Sequence, residues 1–225
     1  VNSHEYKVMG LAAYGNTNRS TNPYYKALQQ VIDIKEDGSY KLNMDYFVYH
    51  YVDRMPSKKL CALLDGSIRK PAEELTQRHK DIAAGVQLIL EDVIIKILNH
   101  VHKITKCNNL VFSGGVGLNS VFNGKILRNT QFKKIWMQPN ASDGGTSIGV
   151  ASYIYHTIFG NERNFVQQDA YLGPKFSTGE IKQFLVGNKI NYREFKDEKE
   201  LIEKTANLIY NNNVVGWFHG AMEWG

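Results

Sequence analysis

Cysteine and proline are scarce in this chain, which has two cysteines and five prolines among its 225 residues. Cys61 and Cys107 lie far apart and form no Cys-x-x-Cys pair, which excludes the usual zinc-ligand spacing and a disulfide framework. No run approaches the ~20 apolar residues that cross a bilayer, and no charged and then apolar leader opens the sequence. We therefore expect a cytoplasmic protein in a reducing compartment, with no membrane partner.

Long blocks of one charge are also missing. The 27 basic and 22 acidic residues are interspersed and give a net charge of +5. Basic clusters such as Lys58-Lys59 and Lys133-Lys134 are too short for a nucleic-acid-binding stripe, so we expect no nucleic acid partner. The small positive excess fits an anionic ligand such as a nucleotide. A hydrophobic content of 43% is enough for the core of one large or two modest domains.

The segment Asn109–Asn119 has the pattern of a short apolar strand, a glycine-rich turn and the start of a helix. Gly114 and Gly115 lack Cβ atoms, so a ligand can approach the backbone there, and glycine also accepts the positive φ of a tight turn. Amides at the start of the following helix would favour an anion. This turn is therefore our first candidate for a ligand site.

A second segment repeats the pattern further along the chain. Residues 135–137 predict a short strand, and Asp143 opens a helix that continues to about Phe159. Ligands of open α/β sheets bind outside the carboxyl ends of the strands, so residues 113–119 and 140–146 are predicted to face one ligand. Neither turn has the Gly-x-Gly-x-x-Gly fingerprint or a P-loop lysine. The alternative is that the glycines only allow close packing of strand and helix.

The longest periodic segment predicts an amphipathic helix from about Glu73 to Thr105. Before it, residues 5–15 predict a short helix ended by Gly15, and Asp37-Gly38 predicts a β-hairpin. The polar residues 161–169 predict a linker. Beyond this linker the pattern predicts a helix, a strand, a helix and a strand, at 177–186, 191–195, 197–211 and 214–218.

Six motifs stand in order along the chain, at residues 5–15, 78–83, 113–119, 138–146, 170–174 and 216–225. Together they resemble the O-carbamoyltransferases of the nodulation-factor, cephalosporin and aminoglycoside-antibiotic type. The resemblance covers nearly the whole chain. Its specificity comes from the co-occurrence of several motifs in one order.

The resemblance implies an α/β fold with two parts. Residues 1–160 would form the C-terminal lobe of a kinase-like ATP-binding domain, similar to acetate kinase, Hsp70 and actin, with their ribonuclease H-like fold. Residues 161–169 would be the linker, and residues 170–225 the start of a domain similar to the threonylcarbamoyl-adenylate synthases. The first lobe would lie upstream, so we expect the chain to be a fragment of a longer protein.

The resemblance also implies an activity, a carbamoyltransferase reaction that uses ATP. In the family, the C-terminal domain makes carbamoyl adenylate from ATP and carbamoyl phosphate, and the kinase-like domain transfers the carbamoyl group to a hydroxyl of a sugar or natural product. The isolated fragment is expected to be inactive, because each cleft would lack one side. The alternatives are a sugar or acetate kinase and a nucleotide-binding module without catalysis.

The resemblance carries over to individual residues. Those implied to bind the nucleotide are Ser113, Gly114, Gly115, Val116 and Asn119. Asp143 matches a metal-binding aspartate that would hold iron or another divalent ion, together with histidines that none of the seven in this chain replaces.

Two further residues are implied to be catalytic, Lys7 and Glu223. Lys7 could place its charge near phosphate or carbamoyl oxygens, and the alternative is a plain surface lysine. The sequence departs from the family at Ala221, where the usual motif has an arginine before Met-Glu. Alanine cannot form the bidentate contact of an arginine with a phosphate or carboxylate, which bears directly on how carbamoyl phosphate is held.

Overall fold

The structure is a computed structural model that describes residues 5–224. Val1 and Gly225, which begin and end the two predicted domains, lie outside the described residues. The chain divides into two compact units, Val1–Ser142 and Asp143–Gly225, and each is described by itself. The predicted linker at 161–169 lies within the second unit.

The first unit contains helices and two small sheets, which makes it an α/β structure. Its helices are α1 (Glu5–Ala12), α2 (Tyr25–Leu28), α3 (Lys58–Leu63), α4 (Gln77–Thr105), α5 (Ser120–Asn123) and α6 (Ile126–Asn129). Its strands are β1 (Ile32–Ile34), β2 (Tyr40–Leu42), β3 (Asn109–Phe112) and β4 (Lys134–Met137).

The long helix α4 confirms the amphipathic prediction, although it begins at Gln77 rather than at Glu73. Thr76 is the residue that caps it. The Nδ1 atom of His79 accepts hydrogen bonds from the Thr76 amide at 3.1 Å and from its hydroxyl at 2.8 Å. Burial and the positive charge of Arg78 lower the pKa of His79, so the imidazole stays neutral and able to accept. The cap fixes where the helix starts.

Helix α4 contributes to every hydrophobic cluster of the first unit. Ile89 and Val93 pack against α2, the hairpin and α3. Leu98, with Ile94, packs against β3, α5 and α6, and Ala84 packs against the end of α1. Fully burying one such aliphatic side chain stabilises a fold by about 1.5–3 kcal/mol. The other elements of this unit therefore depend on one helix for their apolar contacts.

Both sheets are two-stranded and follow the predicted pairings. Strands β1 and β2 form the antiparallel hairpin expected from Asp37-Gly38, with Ile34 opposite Tyr40. Gly38 has a φ of 82°, which glycine adopts without strain. Strands β3 and β4 are parallel, with Phe112 opposite Met137. Their carboxyl ends therefore meet at one edge, where the two predicted turns begin.

The second unit contains α7 (Thr146–Tyr153), α8 (Thr178–Gly187) and α9 (Glu198–Tyr210). A 3-10 turn at Asp143–Gly145 precedes α7, and a π-helical turn at Ile154–Ile158 continues it, so the predicted helix from Asp143 to about Phe159 is confirmed. Helices α8 and α9 confirm the other two predictions. None of the helices within residues 5–224 is both long enough and apolar enough to cross a membrane.

Two predicted strands are wrong. The sequences of residues 191–195 and 214–218 favour an extended strand, yet neither segment is part of a sheet in the structure. A strand exists only where a neighbour completes its hydrogen bonds, and among residues 5–224 no partner strand pairs with either segment. Arg193 instead contacts Glu200 at 2.5 Å and the ring of Phe195 at 4.5 Å. The apolar residues of these two segments favour a strand, but they do not supply the partner that a strand needs.

Gly15 explains how α1 and α4 come so close. A Cβ atom added to Gly15 would lie 2.1 Å from the carbonyl oxygen of Lys80 and 2.9 Å from the Cβ of Ala84. Both lie in the first turns of α4, and one is rigid backbone. The glycine predicted to end α1 is therefore needed for packing as well as for the turn.

We predict that Gly15→Ala lowers the free energy of unfolding by about 3 kcal/mol, since the added methyl group clashes with helix backbone. Gly10→Ala is the matched control, because a Cβ at Gly10 meets no atom within 4 Å. This control should be neutral or stabilise by about 0.5–1 kcal/mol through helix propensity. Urea denaturation of the two variants measures both effects. Equal stability of Gly15→Ala and the parent chain would contradict the packing described here.

Candidate functional site

The glycine turn, residues 113–118, follows the carboxyl end of β3. The sequence predicted one helix after it, which is wrong in detail. The structure has a 3-10 helix at Gly115–Leu118 and then the short helix α5. Asn119 separates them with a ψ of 85°, and its Oδ1 atom accepts a hydrogen bond from the Phe122 amide at 3.0 Å. The asparagine side chain therefore ends one segment and caps the next.

The three glycines of the turn have different roles. Gly114 has a φ of 101°, a conformation that L side chains rarely adopt. A Cβ on Gly117 would lie 2.9 Å from the Cβ of Ala141, so this glycine is needed for packing. A Cβ on Gly115 would meet only the Ser142 hydroxyl oxygen at 3.8 Å, an ordinary contact. A Cβ on Gly114 would meet no atom within 4 Å, so Gly114 and Gly115 both face free space, and Gly115 does so without a positive φ.

The segment that follows β4 lies directly beside the glycine turn. The carbonyl oxygen of Ala141 accepts hydrogen bonds from the Gly114 amide at 2.7 Å and from the Ser113 hydroxyl at 3.2 Å. Residues 113–117 and 141–142 are therefore neighbours, as expected from two parallel strands that end at one edge. Ser113 is held by this carbonyl, which positions its hydroxyl.

Two backbone amides of the turn have no acceptor among residues 5–224. The first amides of a 3-10 helix have no carbonyl within that helix to bind. Those of Gly115 and Val116 also donate to no other backbone carbonyl in the described part of the chain. Val116 is 43% exposed, so solvent or a ligand can reach this position. The arrangement can bind an anion through two adjacent N–H groups.

A buried polar network supports the far end of the turn. The side-chain amides of Gln87 and Asn119 form a reciprocal pair, with N···O distances of 3.2 Å and 2.8 Å. Gln87 Nε2 also donates to Glu91 at 3.1 Å. The side chain of Glu91 is 2% exposed and contacts the ammonium of Lys125 at 2.6 Å and the guanidinium of Arg19 at 3.5 Å. Gln87 and Glu91 thus connect Asn119 to two cations.

Arg19 continues this network towards the surface of α4. Its guanidinium donates to Asp92 at 2.9 Å and 2.7 Å, and Tyr25 donates its hydroxyl to the same carboxylate at 2.5 Å. Burial and the Asp92 carboxylate raise the pKa of Tyr25. Burial by itself would lower the pKa of Arg19, but the nearby Asp92 carboxylate outweighs this effect, so that the pKa is raised. Arg19 is therefore a fixed cation at this end of the network.

The polar network was not among the sites that the sequence motifs predicted. A signal was present, since Gln87 and Glu91 stand four residues apart on the face of the predicted helix that carries Leu88 and Ala84. Polar side chains at such a spacing on an apolar face indicate partners that approach from other elements. Those partners come from loops far away in sequence, and no helical pattern identifies them.

The remaining predicted site residues are Lys7 in the first unit and Asp143 and Glu223 in the second. Lys7 is exposed on α1, with its ammonium 5.8 Å from the ring of Tyr6. Within residues 5–224, no hydrogen bond or ion pair joins Lys7 to the glycine turn. Asp143 opens the second unit, and its backbone carbonyl accepts from the Thr146 hydroxyl at 2.6 Å. In the same part of the chain, no three His, Cys, Asp or Glu side chains are grouped as metal ligands.

Two of the sequence motifs pair with each other in the second unit. Gly173 donates its amide to the Met222 carbonyl at 2.9 Å, and Met222 donates to the Pro174 carbonyl at 2.9 Å. Ala221 forms an isolated antiparallel bridge with Lys175. A Cβ on Gly173 would lie 2.8 Å from the Met222 carbonyl oxygen. Glu223 is exposed at the end of this pairing, beside the position where the motif usually has arginine.

Comparison with known proteins gives the family. A family model described as "Carbamoyltransferase N-terminus" matches residues 1–152. Over its whole length, the chain is 42% identical to the protein sll1178 of Synechocystis. The match covers 37% of the length of that protein. Over 98% of its length, the chain is 30% identical to nodulation protein NolNO of Sinorhizobium fredii and covers 30% of that protein. Over the same share of its length, it is 27% identical to nodulation protein NolO of Bradyrhizobium diazoefficiens and covers 38% of it.

The chain spans about a third of the length of these relatives, between 30% and 38% of each. The family model covers the first unit and reaches into α7, so it includes α4, the two parallel strands and the glycine turn. The match confirms the resemblance inferred from the six motifs: the chain belongs to the carbamoyltransferase N-terminus family.

Proposed function

We propose that this chain is part of an ATP-dependent O-carbamoyltransferase in which the glycine turn binds the adenine nucleotide. The observation that carries the proposal is the pair of unoccupied amides at Gly115 and Val116, beside a glycine with open space. Two adjacent N–H groups suit phosphate oxygens, and the bare backbone lets a ligand approach. Membership of the carbamoyltransferase family supports a carbamoyl group as the one transferred.

The proposed reaction has two stages. In the first, ATP, carbamoyl phosphate and water give carbamoyl adenylate, pyrophosphate and inorganic phosphate. In the second, a hydroxyl of a sugar or natural-product acceptor attacks the carbamoyl carbon. A C–O bond forms to the acceptor, the bond from carbon to the adenylate oxygen breaks, and AMP leaves. The hydroxyl proton passes to a base. The turn would contribute by orienting the nucleotide and by stabilising charge on its phosphate.

The proposal assigns the second stage to the first unit and the first stage to the domain that begins near Ala170. The backbone pairing of Gly173 with Met222 supports the second assignment, because it brings two motifs of that domain together. Lys7 and Glu223 are the proposed catalytic residues of the two parts. An actin-like fold for the first part and a threonylcarbamoyl-adenylate-synthase-like fold for the second belong to the same proposal.

A divalent metal, with iron as the expected ion, belongs to the proposal in a restricted form. Asp143 supplies one carboxylate, and among the described residues it belongs to no group of three or more His, Cys, Asp or Glu side chains that could hold a metal ion. One carboxylate does not hold a transition metal against water. Residues 5–224 therefore do not build a metal site by themselves, and we assign no step of the reaction to a metal.

Ala221 favours a second candidate function, a nucleotide-binding module that has lost catalysis. The family motif has arginine at this position, and the methyl group of alanine cannot bind a phosphate. The backbone of Ala221 pairs with Lys175 in the manner of a short strand. This position therefore takes part in the local structure but lacks the positive charge of an arginine side chain. The two candidates share the glycine turn and differ in turnover.

The first test of the proposal is nucleotide binding by the glycine turn. We expect the chain to bind AMP or ATP weakly by calorimetry, and Gly115→Val to weaken this binding at least tenfold, since the side chain would occupy the space of the ligand. Gly10→Val is the control, because its side chain also enters open space. Unchanged affinity in Gly115→Val, with tight binding by both proteins, would refute the assignment of this turn.

The second test concerns the metal. Elemental analysis of the purified chain should find no stoichiometric iron or zinc, because Asp143 belongs to no group of three or more possible metal ligands within residues 5–224. Asp143→Ala should leave the metal content unchanged at this low value. A full equivalent of metal that persists in Asp143→Ala would show that the ligands lie elsewhere in the chain.

The third test is turnover. The isolated chain should not transfer a carbamoyl group, whereas a protein extended to the length of its relatives should do so with ATP and carbamoyl phosphate. In that protein, Ala221→Arg should lower the KM for carbamoyl phosphate about tenfold, since a hydrogen bond to a charged group contributes roughly 1.5–3 kcal/mol. Nucleotide binding without turnover in the extended protein would favour the non-catalytic module instead.

A further inference from the structure

The side chain of Gln87 lies between a buried charge and the end of the glycine turn. Averaged over the whole residue, Gln87 is 6% exposed and its neighbour Glu91 is 1% exposed. Each polar atom of the Gln87 amide has a partner, since Nε2 donates to Glu91 and Asn119 and Oε1 accepts from Asn119. A fully satisfied buried network of this kind has one arrangement and fixes the groups at its ends.

The charge on Glu91 determines which way the two amides face. A carboxylate only accepts hydrogen bonds, so it requires the NH2 end of Gln87. The carbonyl end of Gln87 then faces Asn119 and requires the NH2 group of that residue. As a result, Asn119 Oδ1 points towards α5, where it receives the Phe122 amide at 3.0 Å. Reversal of Gln87 would place two acceptors against each other in a buried site.

We infer that Gln87 and Glu91 are positioning residues for the glycine turn, and that Asn119 acts from inside the fold rather than as a direct ligand of the nucleotide. The inference rests on the proposed function, because it concerns the same turn. It extends that proposal by assigning a role to residues of α4 that no motif contains. Both polar ends of the Asn119 side chain are already occupied within the protein.

The turn is anchored at both ends as a consequence. At its start, Ala141 holds Gly114 and Ser113. At its end, the Asn119 amide donates to the Val116 carbonyl at 2.9 Å, and the side chain is held by Gln87. The amides of Gly115 and Val116 lie between these two anchors, so their directions are set before a ligand arrives. Such preorganisation raises affinity because less motion is lost on binding.

The test compares Gln87→Met with Ile94→Val in the 225-residue chain. Methionine keeps the length of the side chain and removes the amide, while Ile94→Val reduces a buried contact of α4 in a different cluster. At a temperature where both variants are folded, we expect Gln87→Met to raise the Kd for AMP roughly tenfold and Ile94→Val to leave it unchanged. Hydrogen exchange should accelerate at the amides of Gly114, Gly117 and Asn119 in Gln87→Met only.

The outcomes separate this inference from the proposed function. Absence of AMP binding by the parent chain overturns the proposed function and the inference with it. Binding by the parent that is equally strong in Gln87→Met, or equally weakened in Ile94→Val, overturns the inference alone. If Gln87→Met does not fold, Glu91→Gln replaces it, since this change keeps the shape and removes the charge that orients Gln87. The same rise in Kd is expected.

Discussion

A single buried carboxylate imposes the strictest constraint on the first unit. Removing an ionised group such as Glu91 from water costs several kcal/mol unless cations and hydrogen-bond donors surround it. Its partners come from separate parts of the chain: Arg19 from the loop after α1, Lys125 from the residue before α6, and Gln87 from α4 itself. The requirement to satisfy one charge therefore brings two distant segments to the face of α4 that carries Gln87 and Glu91.

The close backbone contacts of α4 add a second, steric constraint. Gly15 and Gly38 each lie where a Cβ atom would overlap the backbone of α4, at Lys80 and at Ile97 respectively. Short elements on either side are thereby held at distances that side chains would prevent. Helix α4 thus packs closely against the end of α1 and against the hairpin, and it supports the glycine turn through Gln87. Loops on the surface of such a scaffold are suitable places for ligand binding.

Local signals in the sequence predicted much of the fold. The apolar period predicted α4, Asp37-Gly38 predicted the hairpin, and the cap residues of α8 and α9 matched the predicted helix starts at 177 and 197. The strands predicted at 191–195 and 214–218 failed, because pairing depends on a partner that no local pattern supplies.

The candidate site divides in the same way between local and distant determinants. The glycine pattern located the turn at 113–119, yet it did not distinguish Gly115, which faces open space, from Gly117, which is needed for packing. That difference depends on Ala141, a residue from another strand-to-helix connection. The roles of Gln87 and Glu91 depend in the same way on residues that approach α4 only after the chain has folded.

The pairing of Gly173 with Met222 has a consequence for the order of events in the second unit. Closing a loop of about fifty residues costs roughly 3 kcal/mol of chain entropy, whereas each backbone hydrogen bond within α8 and α9 joins residues only four apart. The two motif segments are therefore expected to meet late, after both helices exist. Any ligand that contacts both segments adds its binding free energy to this one step, so occupancy of the site and completion of the fold become thermodynamically linked.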